Sequence, residues 1–298
     1  MAQLGSVFVI AGFFSSYPVR VALVAGLMVA VVSGTVGTFT IIRGQSFAGH
    51  SLADIGAAGG SAAYLVNIPA IYGFIGINLV AGLVLEFIGI GRLRGRDLAT
   101  GIVLSAALGL TALFLYLDTI ASTTTNVTAS LLFGSILTIQ GSSIPIILAV
   151  GAIAIAIVMV LYRPLVLSSI SKELALAKGI PETKIAIGFL VALALNVSLT
   201  AITVGAILST ALLVGPAAIA LKLTRRTGRA ILIASAIGVI VTWIGIYLSY
   251  DSYYWPPHNH GWPASFFVVA IIFALFVTVD TIVRMRRKYL VGKRPAKG

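Results

Sequence analysis

His50 and Asp54 stand four residues apart at the start of a long apolar stretch. Ionisable side chains are scarce in such stretches, because a charge held at membrane depth costs about 2.5–3.5 kcal/mol on insertion scales. They persist where they pair with each other, line a polar path or bind something. On a helix, positions i and i+4 lie one above the other on the same face. An imidazole and a carboxylate in that register supply half of a coordination shell for a divalent transition metal. The other reading is a His–Asp hydrogen bond that neutralises two awkward groups. Two protein ligands form too small a shell for a closed tetrahedral site. Such a pair therefore suits an ion that is bound and then released, with further ligands from another helix or from water. Because an imidazole nitrogen coordinates only when neutral, capture there should weaken in acid.

The elements that must position this pair are membrane spans. Of 298 residues, 59% are hydrophobic and 9% are charged, whereas soluble domains carry about 25% charged residues. The mean hydropathy is +1.09. Nine apolar segments are read at about 20–42, 50–70, 73–91, 99–117, 143–162, 184–200, 204–222, 229–250 and 264–283, most of them long enough to cross a hydrocarbon core of about 30 Å. The expected fold is an all-α, polytopic helical bundle of eight or nine spans. It forms a single transmembrane domain over 1–298, with a cytoplasmic segment at 164–183 and a basic tail at 284–298. A short apolar piece at 7–14 is too short to span and is expected in the interface or as a re-entrant turn. No removable signal peptide is read at the N-terminus. Cysteine is absent, which excludes thiolate ligands and disulfides. Gly56, Ala57, Ala58, Gly59, Gly60 and Ser61 follow the pair directly, and small residues of this kind let helix backbones approach closely in lipid. The segment carrying His50 and Asp54 is therefore expected inside the bundle.

The net charge of +12 does not point to nucleic acid, because the basic residues punctuate the apolar segments. One orientation puts every Lys and Arg except Arg20 on a single side, out of 20 in the chain. By the positive-inside rule that side is the cytoplasm. The N-terminus is then outside, and the loops at 92–96, 163–184 and 222–229 face inward with the tail.

Within the second of these loops, Ser171 reads as a helix N-cap and Gly179 as a stop, with Pro181 just beyond. The helix between them, about 172–178, is too short to be stable alone in water. It must pack on a surface, either that of a soluble partner or that of its own protein. Four acidic residues are assigned ordinary roles. Glu86 pairs with Arg92 or Arg94 or snorkels, Asp118 and Asp251 sit at solvated helix ends, and Asp280 pairs with Arg284 at i+4. Gly215-Pro216 removes a backbone hydrogen bond inside the seventh segment and is expected to bend or break it where it lines a cavity. No Gly-rich loop ending in Lys-Ser or Lys-Thr is present in the sequence, so ATP binding is not expected on this chain.

Four stretches in order resemble the ABC-3 family of metal permeases. Arg43-Gly-Gln-Ser-Phe-Ala-Gly-His-Ser-Leu-Ala-Asp54 resembles the family's R-x-x-S-hydrophobic-x-G-D-A-hydrophobic-S-H. Ser130-Leu-Leu-Phe-Gly-Ser-Ile-Leu is similar to L-L-F-G-N-hydrophobic-L. Lys172-Glu-Leu-Ala-Leu-Ala-Lys-Gly-Ile-Pro181 is similar to D-x-E-x-A-x-A-x-G-hydrophobic-P. Val204-Gly-Ala-Ile-Leu-Ser-Thr-Ala-Leu-Leu-Val-Gly-Pro-Ala-Ala218 is similar to V-G-x-L-L-hydrophobic-x-A-L-L-hydrophobic-x-P-A-A. The likeness runs from about 18 to 285.

The resemblance implies the permease subunit of an ATP-binding-cassette importer in the cytoplasmic (inner) membrane of a prokaryote. Its cargo would be Zn2+, Mn2+ or Fe2+, with no permanently bound cofactor. Its partners would be a second copy of the permease, a separate ATPase and an extracytoplasmic metal-binding protein. His50 and Asp54 would bind the metal. Lys172, Glu173, Leu174, Ala177 and Gly179 would form the coupling segment against the ATPase. The family places the carboxylate first and the histidine four residues later. Here the order is reversed, which moves the nitrogen ligand by one turn, about 5.4 Å, and bears on which metal is carried. His258 and His260, in the aromatic outer loop Tyr253-Tyr-Trp-Pro-Pro-His-Asn-His-Gly-Trp-Pro263, would capture metal at the entrance or touch the binding protein. The plainer reading of that loop is an interfacial aromatic belt. The alternatives are a permease for a metal chelate such as a siderophore or cobalamin, an ion-gradient-driven transporter, and an intramembrane metalloenzyme.

Overall fold

The computed structural model describes residues 12–89, 93–121, 127–134, 136–206, 208–255 and 261–292. Every regular element among them is helical. Nine long helices fall on the nine apolar segments. They are α1 (Tyr17–Ile42), α2 (Ser46–Leu65), α3 (Ala70–Gly89), α4 (Leu93–Ala121), α6 (Ile144–Val160), α9 (Glu182–Val204), α10 (Ser209–Leu223), α11 (Thr227–Asp251) and α12 (Ala264–Gly292). Three short helices fill the connections: α5 (Val127–Phe133), α7 (Tyr162–Ile170) and α8 (Lys172–Ala177). Seven of the long helices are long and apolar enough to cross a membrane. The other two are α2, diluted by small and polar residues, and α10, whose 15 residues span only about 22 Å.

The most buried helices are α1 and α9, while α4 and α12 keep most of their apolar surface on the outside. Around α1 lie α11, α10, α6 and α9, and α2 is held between α3 and α4. Lipid gives no hydrophobic drive for this packing, so small residues and buried hydrogen bonds supply it. Gly59 of α2 and Gly73 of α3 touch so closely that a Cβ on either would run into the other's carbonyl oxygen. Two buried amides tie α9 to its neighbours. Ser33 Oγ donates to Asn196 Oδ1 (3.0 Å), and Asn78 Nδ2 donates to Ser198 Oγ (2.9 Å).

The bundle has two chemically distinct ends. At one, Arg43 Nη1 donates to Ser168 Oγ at 2.8 Å, Ile41 packs near Leu221, and Lys222 pairs with Asp280, which also holds Arg284 Nε at 2.7 Å. At the other, Phe13 stacks edge-on to Tyr247 and Tyr250, and Trp262 lies against Trp255 and Phe267. Of the apolar piece expected at 7–14, Gly12, Phe13 and Phe14 are described: Gly12 takes φ +91°, Phe13 is buried and Phe14 is exposed.

Three expectations are corrected. Helix α10 runs unbroken through Gly215 and Pro216. A proline within a packed helix removes one backbone bond without ending it, and Gly215 faces Ile272 of α12 rather than a path. The helical path is left earlier, between α9 and α10, where Gly205 adopts φ +98° and crosses Gly134 at φ +79°. Each lies against the other's backbone with no room for a Cβ. Asp118 and Asp251 are buried rather than solvated, and Asp251 Oδ2 accepts a hydrogen bond from Trp255 Nε1 at 3.0 Å. Asp280 serves two cations, Arg284 and Lys222, rather than one. Arg92 and Arg94, the expected partners of Glu86, lie outside the described side chains.

Candidate functional site

The site starts from a tight reversal between α1 and α2. The Arg43 N–H bonds to Phe39 O (2.9 Å), Gly44 takes the left-handed conformation at φ +66°, and the Gln45 N–H bonds to Thr40 O (2.8 Å). Helix α2 begins at once, so His50 and Asp54 occupy its first two and a half turns. Beyond them Ile55 and the small residues 56–61 are buried, and Asn78 packs its amide directly over Gly56. This is the inward placement that the small residues implied.

His50 Nε2 and Asp54 Oδ2 are 3.6 Å apart. That is longer than a hydrogen bond but within ion-pair distance. It is close to the spacing of two ligands on one metal, since bonds of about 2.1 Å at tetrahedral angles put their ligand atoms about 3.4 Å apart. Asp54 is 15% exposed and His50 44% exposed at the side chain, which leaves the pair open on one flank. Among the described residues no third His, Asp or Glu joins them in a metal-holding group. The arrangement can offer a cation one nitrogen and one or two oxygens, leaving the rest of its shell to water or another chain.

The structure adds a neighbour that the sequence did not flag. His50 Nδ1 lies 3.1 Å from Thr210 Oγ1, in the first turn of α10. The residues are 160 positions apart, and the only sequence signal was that Thr210 falls inside the fourth family-like stretch. Pro216 is buried in that same helix, between α1 and α12, but nothing described brings it or Gly215 to the pair.

The expected coupling segment forms as read. Helix α8 spans Lys172–Ala177, the Ser171 hydroxyl accepts from the Leu174 N–H (3.2 Å), and Gly179 takes φ +70° after the last turn. Its leucines are turned outward: Leu174 and Leu176 are each more than half exposed, as is Ile170 at the end of α7, while Ala175 is buried. Glu173, Ala177 and Gly179 are exposed as well. Behind it, Ser168 of α7 receives Arg43, whose guanidinium also lies 5.6 Å from the centre of the Phe189 ring.

At the aromatic end a cavity of about 750 Å³ lies between the start of α12, the end of α11 and the turn at Gly134, with Tyr250, Tyr254 and Trp262 in its wall and Thr203 beneath. His258 and His260 lie outside the described residues.

A bundle of long apolar helices, with a polar pair set on an inward helix, defines a multi-pass membrane protein of the permease type. The chain belongs to the ABC 3 transport family, whose pattern it matches over residues 15–282. It is 32% identical over 229 residues to the manganese transport system membrane protein MntC of Listeria monocytogenes, an alignment covering 77% of this chain and 80% of that protein. It is 30% identical over 230 residues to the manganese import system permease protein ScaB of Streptococcus gordonii, covering 77% and 81%. Its fold is similar to that of PsaBC from Streptococcus pneumoniae in complex with Fab, with a TM-score of 0.76 and 26% identity over 90% of this chain and 92% of the other.

Proposed function

We propose that this chain is the membrane-spanning subunit of an ATP-driven importer for a divalent transition metal, with Mn2+ as the preferred cargo. The observation that carries the reading is the His50–Asp54 pair, with its nitrogen and oxygen 3.6 Å apart on the inward helix α2. One nitrogen with carboxylate and water oxygens suits manganese better than an all-nitrogen or sulfur set would. The manganese systems among its relatives support the same choice.

The rest of the importer is read from the two ends of the bundle. The basic end faces the cytoplasm, with the N-terminus outside and the C-terminus inside. The outward leucines of α8, Leu174 and Leu176, dock on a separate ATPase. The Arg43–Ser168 bond joins the segment behind α8 to the reversal that starts α2, so movement at the ATPase reaches the pair through few covalent steps. The aromatic end receives an extracytoplasmic metal-binding protein. A second copy of the chain closes the open flank of His50, giving a path shared by two permeases.

The test is uptake of radioactive Mn2+ by the assembled complex in proteoliposomes. His50→Ala and Asp54→Asn are expected to reduce uptake to background while the permease still inserts and co-purifies with its ATPase. Wild-type uptake by His50→Ala would remove the pair from the path.

A further inference from the structure

We infer that Thr210 is a positioning residue of the His50–Asp54 site: its hydroxyl accepts the Nδ1–H of His50 and so turns the Nε2 lone pair toward Asp54. The inference rests on the reading of that pair as the metal site. A neutral imidazole carries one N–H and one lone pair, and which nitrogen can bind a metal is set by the hydrogen bond that the other makes. Asp54 does not fix the choice, because its Oδ2 stands 3.6 Å from Nε2, outside hydrogen-bond range. Thr210 can, with Oγ1 at 3.1 Å from Nδ1: a hydroxyl both accepts and donates, and in the proposed arrangement it accepts, with the proton on Nδ1. With the proton on Nδ1, both the Nε2 lone pair and the carboxylate face the same gap. With the proton on Nε2, that gap would hold an N–H and could not take a cation.

The position of Thr210 is itself built. Helix α10 starts at Ser209, four residues after Gly205, whose backbone crosses that of Gly134. Ala206 N–H bonds to Leu131 O (3.1 Å), and Ser209 Oγ donates to Ala206 O (2.8 Å). These contacts place the first turn of α10 at the depth of His50. Gly49 packs on Leu213 one turn further along and keeps the two helices in that register. The turn that begins at Gly205 thus sets which residue of α10 meets the ring.

Thr210→Val removes the acceptor at nearly constant volume, and Thr210→Ser keeps it. Loss of a hydrogen-bond partner behind a metal-binding histidine typically weakens affinity 10- to 100-fold. In the assembled transporter, Thr210→Val is expected to raise the Mn2+ concentration for half-maximal ATPase stimulation by about tenfold or more. Thr210→Ser should restore the wild-type value. A second measurement does not depend on transport. The chain has three histidines, so a 15N-histidine NMR spectrum in bilayers at pH 8, assigned with His50→Ala, reports the tautomer of His50. The wild type and Thr210→Ser should show Nδ1–H, and Thr210→Val should lose it. An Nε2–H tautomer in the wild type, or a Thr210→Val protein matching the wild type in both measurements, would overturn the inference. Should His50→Ala abolish Mn2+ uptake while Thr210→Val responds like the wild type, only the role of Thr210 falls. Should His50→Ala transport normally, the metal-site reading falls and takes this inference with it.

Discussion

Helices α2 and α8 invert the usual economy of a membrane protein in opposite directions. Helix α2 carries an imidazole and a carboxylate into a bundle whose inward positions are mostly apolar or small, and its stretch 55–61 is sealed against α3 and its neighbours. Helix α8 lies outside the apolar spans, yet shows Leu174 and Leu176 to the surroundings at 54% and 58% exposure. Each arrangement costs the isolated chain stability, one through a desolvated charge and the other through unburied apolar surface. Local choices that disagree with the fold in this way are expected where function, rather than stability, sets the residue. The contrast also separates two kinds of binding. Polar groups turned inward meet something small enough to enter, and apolar groups turned outward meet a surface.

The sharpest way to break the comparison is to make each helix conform to its surroundings. Asp54→Leu gives α2 the residue that its position favours on packing grounds. Uptake of Mn2+ should fall to background, while the detergent-solubilised permease should unfold at a higher temperature than wild type. The gain should be below the about 2.5–3.5 kcal/mol of a carboxylate at the bilayer centre, because Asp54 keeps 15% of its side-chain surface exposed. A variant that lost uptake by becoming less stable would show that Asp54 holds the fold together. Leu174→Asp is the mirror experiment. A charge at this exposed position should change the stability of the permease alone by no more than about 0.5 kcal/mol. Co-purification with the ATPase and Mn2+-stimulated hydrolysis should be lost. Intact coupling would return α8 to the status of a surface helix lying on its own protein.

A smaller effect tests what seals α2. Gly59→Val places two methyl groups where the Gly73 carbonyl and Ile77 now sit. Overpacking of this kind costs about 1–3 kcal/mol, and backbone on the far side leaves little room to relax. The unfolding midpoint should drop, and uptake per folded molecule should fall less than in Asp54→Leu. A collapse of transport with unchanged stability would mean that the α2–α3 contact moves during the cycle.

The sequence was most legible where a local pattern decides the structure. Continuous apolar windows marked the nine long helices, and the Ser171 cap with the Gly179 stop marked α8 to within a residue. The i,i+4 spacing of His50 and Asp54 put both on one helical face, and the run of small residues after them implied the inward position. What was missed depends on contacts distant in the chain. Pro216 is a strong local breaking signal, yet α10 runs through it and the chain leaves the helix at Gly205, where the backbone of Gly134 crosses. Thr210 carries no local mark of its role, and neither do Asn78 and Asn196, whose partners Ser198 and Ser33 lie on other helices. Short helices α5 and α7 lack the length that makes periodicity readable.

The finest discrimination between the two helices comes from Ser171→Ala. Its hydroxyl satisfies the Leu174 N–H at the start of a six-residue helix, and replacing a serine N-cap by alanine costs about 1 kcal/mol. The other end of α8 is closed by the Gly179 N–H on Leu176 O (2.9 Å) and the Ile180 N–H on Ala175 O (3.0 Å), so the segment should loosen without leaving its place. If α8 is a docking element, that free energy must be recovered when the ATPase binds. Association should then weaken by about fivefold, the equivalent of 1 kcal/mol, and the neutral cap Ser171→Asn should restore it. Mn2+ binding at His50 and Asp54 should not change, because α8 touches neither residue. Titration of the ATPase onto permease in nanodiscs reads the first quantity, and metal binding to the permease alone reads the second. An unaltered ATPase affinity would mean that the helical form of α8 is not what the partner recognises. A parallel loss of metal binding would mean that α2 and α8 are one cooperative unit rather than two opposed ones.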